Sequence, residues 1–511
     1  VPADPADPTS ASAWLARASA RAGRGDLVGA RADATRALAL EPDLVAALTL
    51  RGGVRLELGE LDLAQADLER ALALDPRAAP AWAARGALRE RRRDLAGAVE
   101  DATRAIEFDP GLALAWTNRA SARAGQGRHA EAIEDATRAI ELDPGLALAW
   151  ANRAAARTNA GDPGGAIADA TRAVELAPSH VEAWATRAAA RLNQGDLPGT
   201  IADATRALDL EPRHAKALVN RAAARCDTGD PRGALADLEQ GLALAPESAR
   251  AWSIRAAARS KVDDHPGAIA DATRAIELDP RYSQAWVNRA VSRTSIGDHQ
   301  GAVDDATRAL ELAPLSDGAW FNRAVARLKL GDHQGAVDDA TRAIELAPRR
   351  AGGWLTRGAA RAELGDLTGG REDTGRALEV EPRNVQAWLN RSVMGLRLGD
   401  HGAALSDAAR AVELAPRSAA TWHQRALART RGGDHAGAVA DLDRALKLAP
   451  RLAEALVDRA QAKERLGDVA GAAADYERAL ELAPPGAPWS ARARGRLEAL
   501  RQAVPPAPPA R

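Results

Sequence analysis

Hydrophobic and polar positions recur along this chain with a period of 34 residues. Eleven tryptophans, from Trp14 and Trp82 to Trp388 and Trp422, are separated by multiples of that period, and Leu48, Leu218 and Leu456 occupy the three remaining lattice points. Fourteen units therefore run without an insertion from Ala11 to Gly486, and such a period marks a repeat array. Each unit predicts two helices. From Trp116 the chain reads WTNRASARAGQG, good helix formers closed by Gly127, the residue type that most readily takes the left-handed backbone after a helix. In twelve units this glycine stands eleven residues after the Trp or Leu, with Arg93 and Asp263 the exceptions. The next residue is Asp in twelve units, suited to accept from the free N–H groups that open the second helix. That helix repeats almost verbatim, Asp-Ala-Thr-Arg-Ala occurring eight times. A proline in every unit, from Pro42 to Pro484, is expected to end the second helix and to start the next.

This pattern resembles the tetratricopeptide repeat family. The resemblance rests on the Trp column, the small residue four positions later (Ala18, Gly52, Ala120), the Ala sixteen on (Ala30, Ala64, Ala98), the Ala twenty-three on (Ala37, Ala71, Ala105) and the Pro twenty-eight on. It implies an all-α fold, a right-handed superhelical solenoid of antiparallel helix pairs whose concave face is lined by the first helices. Two aromatic columns usual in the family are absent. Seven residues after the Trp, twelve units carry Arg, such as Arg21, Arg123 and Arg157, and twenty residues after it most units carry Ala, such as Ala34, Ala102 and Ala170. The Arg stem is expected to lie over the space a ring would fill, with its head in water.

Two charged columns are complete. All fourteen units carry Arg three residues after the Trp or Leu and Asp nineteen after it, from Arg17 and Asp33 to Arg459 and Asp475. A charge at a packing position needs a partner, and a guanidinium suits a carboxylate held by two bonds. An Arg–Asp pair is predicted, either across each helix hairpin or between neighbouring units. Removing one member, as in Asp271→Ala, is expected to destabilise far more than replacing Asp271 and its Arg together by apolar residues.

Composition narrows the function. The chain has 511 residues, 46% hydrophobic but only 3% aromatic, with 69 basic and 70 acidic residues and a net charge of -1. It is too apolar and too balanced in charge for a disordered chain. The balance lacks the excess of basic residues that nucleic acids and anionic membranes require, and no run of about 18 apolar residues is present to span a bilayer. The single cysteine, Cys226, excludes a disulfide scaffold and reads as a buried, inert thiol. No Gly-rich phosphate loop and no singular Ser, His and Asp set occurs, so neither an enzyme nor a cofactor is expected. Six histidines, His129, His265, His299, His333, His401 and His435, follow the helix-capping position one per unit, a spread that suits packing rather than convergence on a metal. The run from Arg89 to Arg93 reads as a solvated turn. Sixty-four Arg against five Lys, with abundant Ala and Gly, point to a GC-rich bacterial source.

The candidate site is the column two residues after the Trp, which holds Asn118, Asn152, Asn220, Asn288, Asn322 and Asn390. Asn is a mediocre helix residue, so six at one helical position need a cause. In peptide-binding members of the family a similar column runs along the concave face, and the resemblance implies that these amides hold the backbone of an extended polypeptide. An amide both donates and accepts, so it suits that role; the other reading has each Asn bonded locally or to water. Nearby positions are small or neutral, such as Thr117, Ser121 and Val287, which disfavours capture of a terminal carboxylate. The expected function is a protein-interaction scaffold or adaptor that binds other proteins or extended peptides, with neither nucleic acid nor membrane as partner. Alternatives are a substrate-recruiting or regulatory arm of a larger enzyme and a structural spacer. A cytoplasmic location is expected, and the oligomeric state is open.

At the ends, residues 1–10 form a lead in which Ser10 caps the first helix. Trp489 falls one residue short of the lattice, so residues 487–504 are expected to form a polar-faced capping helix and residues 505–511 a Pro-rich disordered tail. Val1 in place of Met fits an alternative start codon, and a full signature in the first unit favours further sequence upstream.

Overall fold

The computed structural model describes residues 9–503, which contain 29 helices and no strand. First helices begin on the first residue of each unit, as in Ala11–Gly23, Ala113–Gly125 and Asp317–Leu330. Second helices, such as Leu27–Leu40, His129–Leu142 and His333–Leu346, follow after a short turn. The described residues form two compact units, divided between Val262 and Asp263. The first holds seven helix hairpins and the helix Ala249–Lys261. The second holds the helix His265–Leu278, six hairpins and the C-terminal helix Ser490–Ala503. Within each unit every helix packs on the next, and each first helix also touches the following first helix, so each unit has its own layer of first helices.

The turns follow the local chemistry. The twelve lattice glycines take the left-handed backbone, and Arg93 and Asp263 are held in the same conformation at φ 64° and 62°. Asp26, Asp162 and Asp332 cap their helices by accepting from the N–H groups of Gly29, Gly165 and Gly335, each at 2.9 Å. Ser10 caps the first helix through the Ala13 N–H at 3.2 Å. The prolines differ from expectation. Pro110 and its counterparts up to Pro450 sit in the turn, and the next helix starts three residues later, as at Ala113. A peptide carbonyl at that turn serves as an acceptor: the Trp116 indole N–H donates to Pro110 O at 3.0 Å, and Trp82 to Pro76 O at 2.9 Å. This bond gives a large, half-exposed ring one fixed place.

The core is built from alanine. Ala30, Ala34 and Ala37 and their lattice equivalents are fully buried, so paired helices approach closely with few large side chains between them. Where the column twenty residues after the Trp is not Ala, Leu68, Leu238, Thr374, Leu442 and Tyr476 take the same position. The C-terminal helix presents Ala493, Leu497 and Leu500 on one stripe, buried in the cluster that contains Leu456, Val457 and Tyr476. Residues 1–8 of the lead, Val504 and the 505–511 tail lie outside the described residues.

Candidate functional site

The recurrent charges are consumed inside the hairpins. Arg119 donates from Nε to Asp135 Oδ2 at 2.9 Å and from Nη2 to Oδ1 at 2.8 Å, and the same two bonds recur in the hairpins that lie within each compact unit, from Arg17–Asp33 to Arg459–Asp475. The pairing is therefore within one hairpin. The Arg seven residues after the Trp joins the same carboxylate, Arg123 Nη1 lying 2.7 Å from Asp135 Oδ2 and Arg21 Nη1 3.0 Å from Asp33 Oδ2. Its head is thus not in water as expected: the buried carboxylate is a stronger attractor than solvent for a guanidinium that reaches it. Arg119 also stacks 4.8 Å from the Trp116 ring centroid and donates from Nη1 to Thr103 of the preceding unit at 3.3 Å. The verbatim Asp-Ala-Thr-Arg-Ala now has a residue-by-residue cause. Asp101 holds Arg85 and Arg89, Ala102 and Ala105 are buried, Thr103 receives the next unit's Arg, and Arg104 pairs with Glu107 on the surface.

The six asparagines lie in the first-helix layers but are not equivalent. In the first compact unit Asn118 Nδ2 donates to Ala83 O at 3.0 Å, Asn152 to Thr117 O at 3.2 Å and Asn220 to Ala185 O at 3.4 Å. Each bond reaches back to the preceding first helix. Asn220 is 2% exposed and its Oδ1 has no donor. In the second unit the amide oxygens of Asn288 and Asn390 accept from Gln284 and Gln386, one turn earlier on their own helices, at 3.0 and 2.8 Å. Asn322 is half-buried.

Asn118 and Asn152 meet at a cavity of about 570 Å³ in the first unit, walled by Leu56, Leu95, Leu114 and Leu148. Leu114 and Leu148 are exposed large hydrophobics. Glu90 also lines it, and the Ser121 hydroxyl donates to its Oε1 at 2.5 Å. Burial pushes the Glu90 carboxyl above the usual range, and only the Ser121 bond opposes this. The sequence reading passed over Glu90, although one signal was available. Eight residues after the lattice Trp or Leu, twelve units carry an uncharged side chain, and only Glu90 and Glu464 break the column.

Models of the tetratricopeptide repeat match residues 113–146 and residues 49–113, 258–317, 295–351, 355–419 and 423–487, together more than half of the chain. The chain belongs to the tetratricopeptide repeat family. A solved structure of an APC/C hetero-tetramer, Cut9–Hcn1, is 14% identical with a TM-score of 0.56, covering 89% of this chain and 96% of that one. This is a likeness of fold alone. The solved yeast Tom70 is 19% identical with a TM-score of 0.38, covering 83% of this chain and 96% of that one. No curated protein sequence matches.

The remaining candidates sit on these tetratricopeptide repeats as ordinary parts. The six column histidines are half-buried at the openings of second helices, each with Nδ1 buried and unbonded, and among the described residues no three metal-capable side chains converge. Cys226 is buried, and burial pushes its thiol up. Arg92 in the basic turn pairs with Asp62 of the preceding repeat at 2.5 Å. Glu182 is held down to about 2 chiefly by a hydrogen bond from His214, with Lys216 adding to it. His214 Nδ1 accepts from the Ala217 N–H, so Nε2 carries the proton donated to Glu182. No helix of the described residues is long and apolar enough to cross a membrane.

Proposed function

We propose that this chain is a non-enzymatic scaffold or adaptor of the cytoplasm that holds an extended segment of another protein along its first-helix faces, through Asn118, Asn152, Asn220, Asn288, Asn322 and Asn390. One observation carries the reading, a division of labour between columns. The Arg and Asp side chains of the two complete columns are spent on each other within hairpins, and recurrent surface arginines such as Arg104 and Arg138 pair with Glu107 and Glu141 one turn on. The asparagines instead stand among small and apolar neighbours, and Asn118 and Asn152 border an open cavity. Asn152, half-buried, donates one N–H inward and keeps its oxygen and second hydrogen for a passing backbone, whereas Asn220, 2% exposed with its Oδ1 buried, is the member least open to one. The net charge of -1 favours a polypeptide over a nucleic acid or an anionic membrane.

The test is to pan the full chain against a display library of unstructured peptides and to measure the recovered peptides by anisotropy. With Asn288, Asn322 and Asn390 all changed to Ala, and folding checked by thermal melting, affinity is expected to fall by about tenfold or more. Undiminished affinity in the folded variant overturns the ladder.

A further inference from the structure

The column eight residues after the Trp carries two carboxylates, and the chain treats them differently. At Glu464 the site is complete. The Tyr476 hydroxyl donates to Oε1 at 2.6 Å, and Arg496 of the C-terminal helix bonds the same carboxylate. Burial pushes Glu464 up, but these bonds outweigh it and hold the carboxyl below its usual range. At Glu90 both partners are missing. The lattice equivalent of Tyr476 is Ala102, which has no hydroxyl to donate, and the following first helix offers Ser121 where the C-terminal helix offers Arg496. A half-buried carboxylate is thus left with a hydroxyl as its bonded partner, facing a cavity of about 570 Å³.

Other charges at the cavity do not supply the missing cation. Arg91 is turned toward the preceding repeat, with Nη2 3.8 Å from Glu57 Oε2 and Nη1 3.5 Å from Leu56 O. Arg93 is exposed at the left-handed turn position. Glu57 on the rim is matched by Arg91, so Glu90 is the lining carboxylate whose bonded partner is only a hydroxyl. The walls, Leu56, Leu95, Leu114 and Leu148, are aliphatic and suit the stem of a long basic side chain, whose head favours a carboxylate at the end of an apolar slot.

We infer that the Glu90 cavity is a subsite for one arginine or lysine side chain of an extended polypeptide, the stem against the leucines and the head on Glu90. The inference rests on the extended-segment reading and adds a residue preference to it. Asn118 and Asn152, at the edge of the same cavity, are placed to take the adjoining backbone.

The experiment uses the full chain and labelled, end-blocked peptides of one Ala, Ser and Leu frame that differ only in a central Arg, Lys, citrulline or Glu. Anisotropy is expected to show the Arg and Lys peptides binding about tenfold more tightly than citrulline or Glu near neutral pH. Glu90→Gln is expected to erase that preference and Glu90→Lys to favour the Glu peptide. Lowering the pH is expected to weaken the Arg peptide in the native chain, because protonation removes the charge that the ligand needs. Folding of Glu90→Gln is checked by melting. The raised native-state carboxyl makes ionised Glu90 unfavourable, with stability lost as pH rises through its native value, so the variant is expected to melt higher than the native chain at neutral pH and equally in acid. Equal binding of all four peptides overturns the subsite and leaves the extended-segment reading standing. A preference that survives Glu90→Gln places the cation elsewhere and also overturns it. Failure of every peptide to bind overturns both.

Discussion

Arg187 shows what a recurrent charge does here. It holds Asp203 with two bonds of 2.8 Å, lies 4.7 Å from the Trp184 ring centroid and reaches Thr171 of the preceding repeat at 3.2 Å. Both charges are buried, Arg187 to 8% and Asp203 to 2% exposure. Asp203 also receives Arg191 at 2.8 Å, so the unit of charge is a triad rather than a pair. Asp203→Ala takes the shared carboxylate from two guanidinium groups, of which Arg191 keeps Asp196 and the Gly199 carbonyl, and is expected to cost on the order of 3 to 5 kcal/mol in urea unfolding. Replacing Arg187 and Asp203 by Met and Leu is expected to recover part of that loss; adding Arg191→Tyr is expected to recover most of it. Equal losses for the single and triple changes would mean that packing, not pairing, holds the site. The need for a pair was legible in two unbroken columns, but the third member was not. Arg at the seventh position reads as a surface stem until the turn brings it over the same carboxylate.

At the scale of the helix, caps and turns were the most readable features, because they depend on a few adjacent residues. Glycine at the left-handed position and Asp after it recur as backbone and hydrogen-bond requirements, and the structure meets both. The exceptions mark stored strain. Arg93 holds φ 64° without glycine's freedom. Arg93→Gly is expected to raise stability by about 1 kcal/mol, read as a higher urea midpoint with an unchanged slope. No change would show that the arginine's own contacts offset the strain. Proline was misread at this scale. Its inability to continue a helix is local and was legible, whereas its place in the turn, where Trp82 donates to the Pro76 carbonyl, depends on a ring six residues later folding back.

Across the molecule, each hairpin packs on its sequence neighbours within its compact unit, so a disturbance is expected to stay local. The C-terminal helix tests this. It buries Ala493, Leu497 and Leu500 on the last repeat and brings Arg496 to Glu464. A chain ending at Gly486 is expected to show faster amide exchange over residues 453–486 and unchanged exchange over residues 11–44. Unchanged exchange at 453–486 would deny the helix a capping role.

The sequence by itself determined the period, the two-helix unit, the turn residues and the need to pair the charged columns. Each is a local or strictly periodic demand, repeated often enough that no partner need be known. Only the tertiary structure decided which atoms meet. It placed the Arg–Asp bonds inside hairpins, turned three asparagines back onto the preceding helix and left Glu90 facing a cavity while completing Glu464. These outcomes depend on side chains about 12 to 35 residues apart, and on differences as small as Ala102 against Tyr476. A lattice shows what every repeat shares; the packed layers show where one repeat lacks what another has.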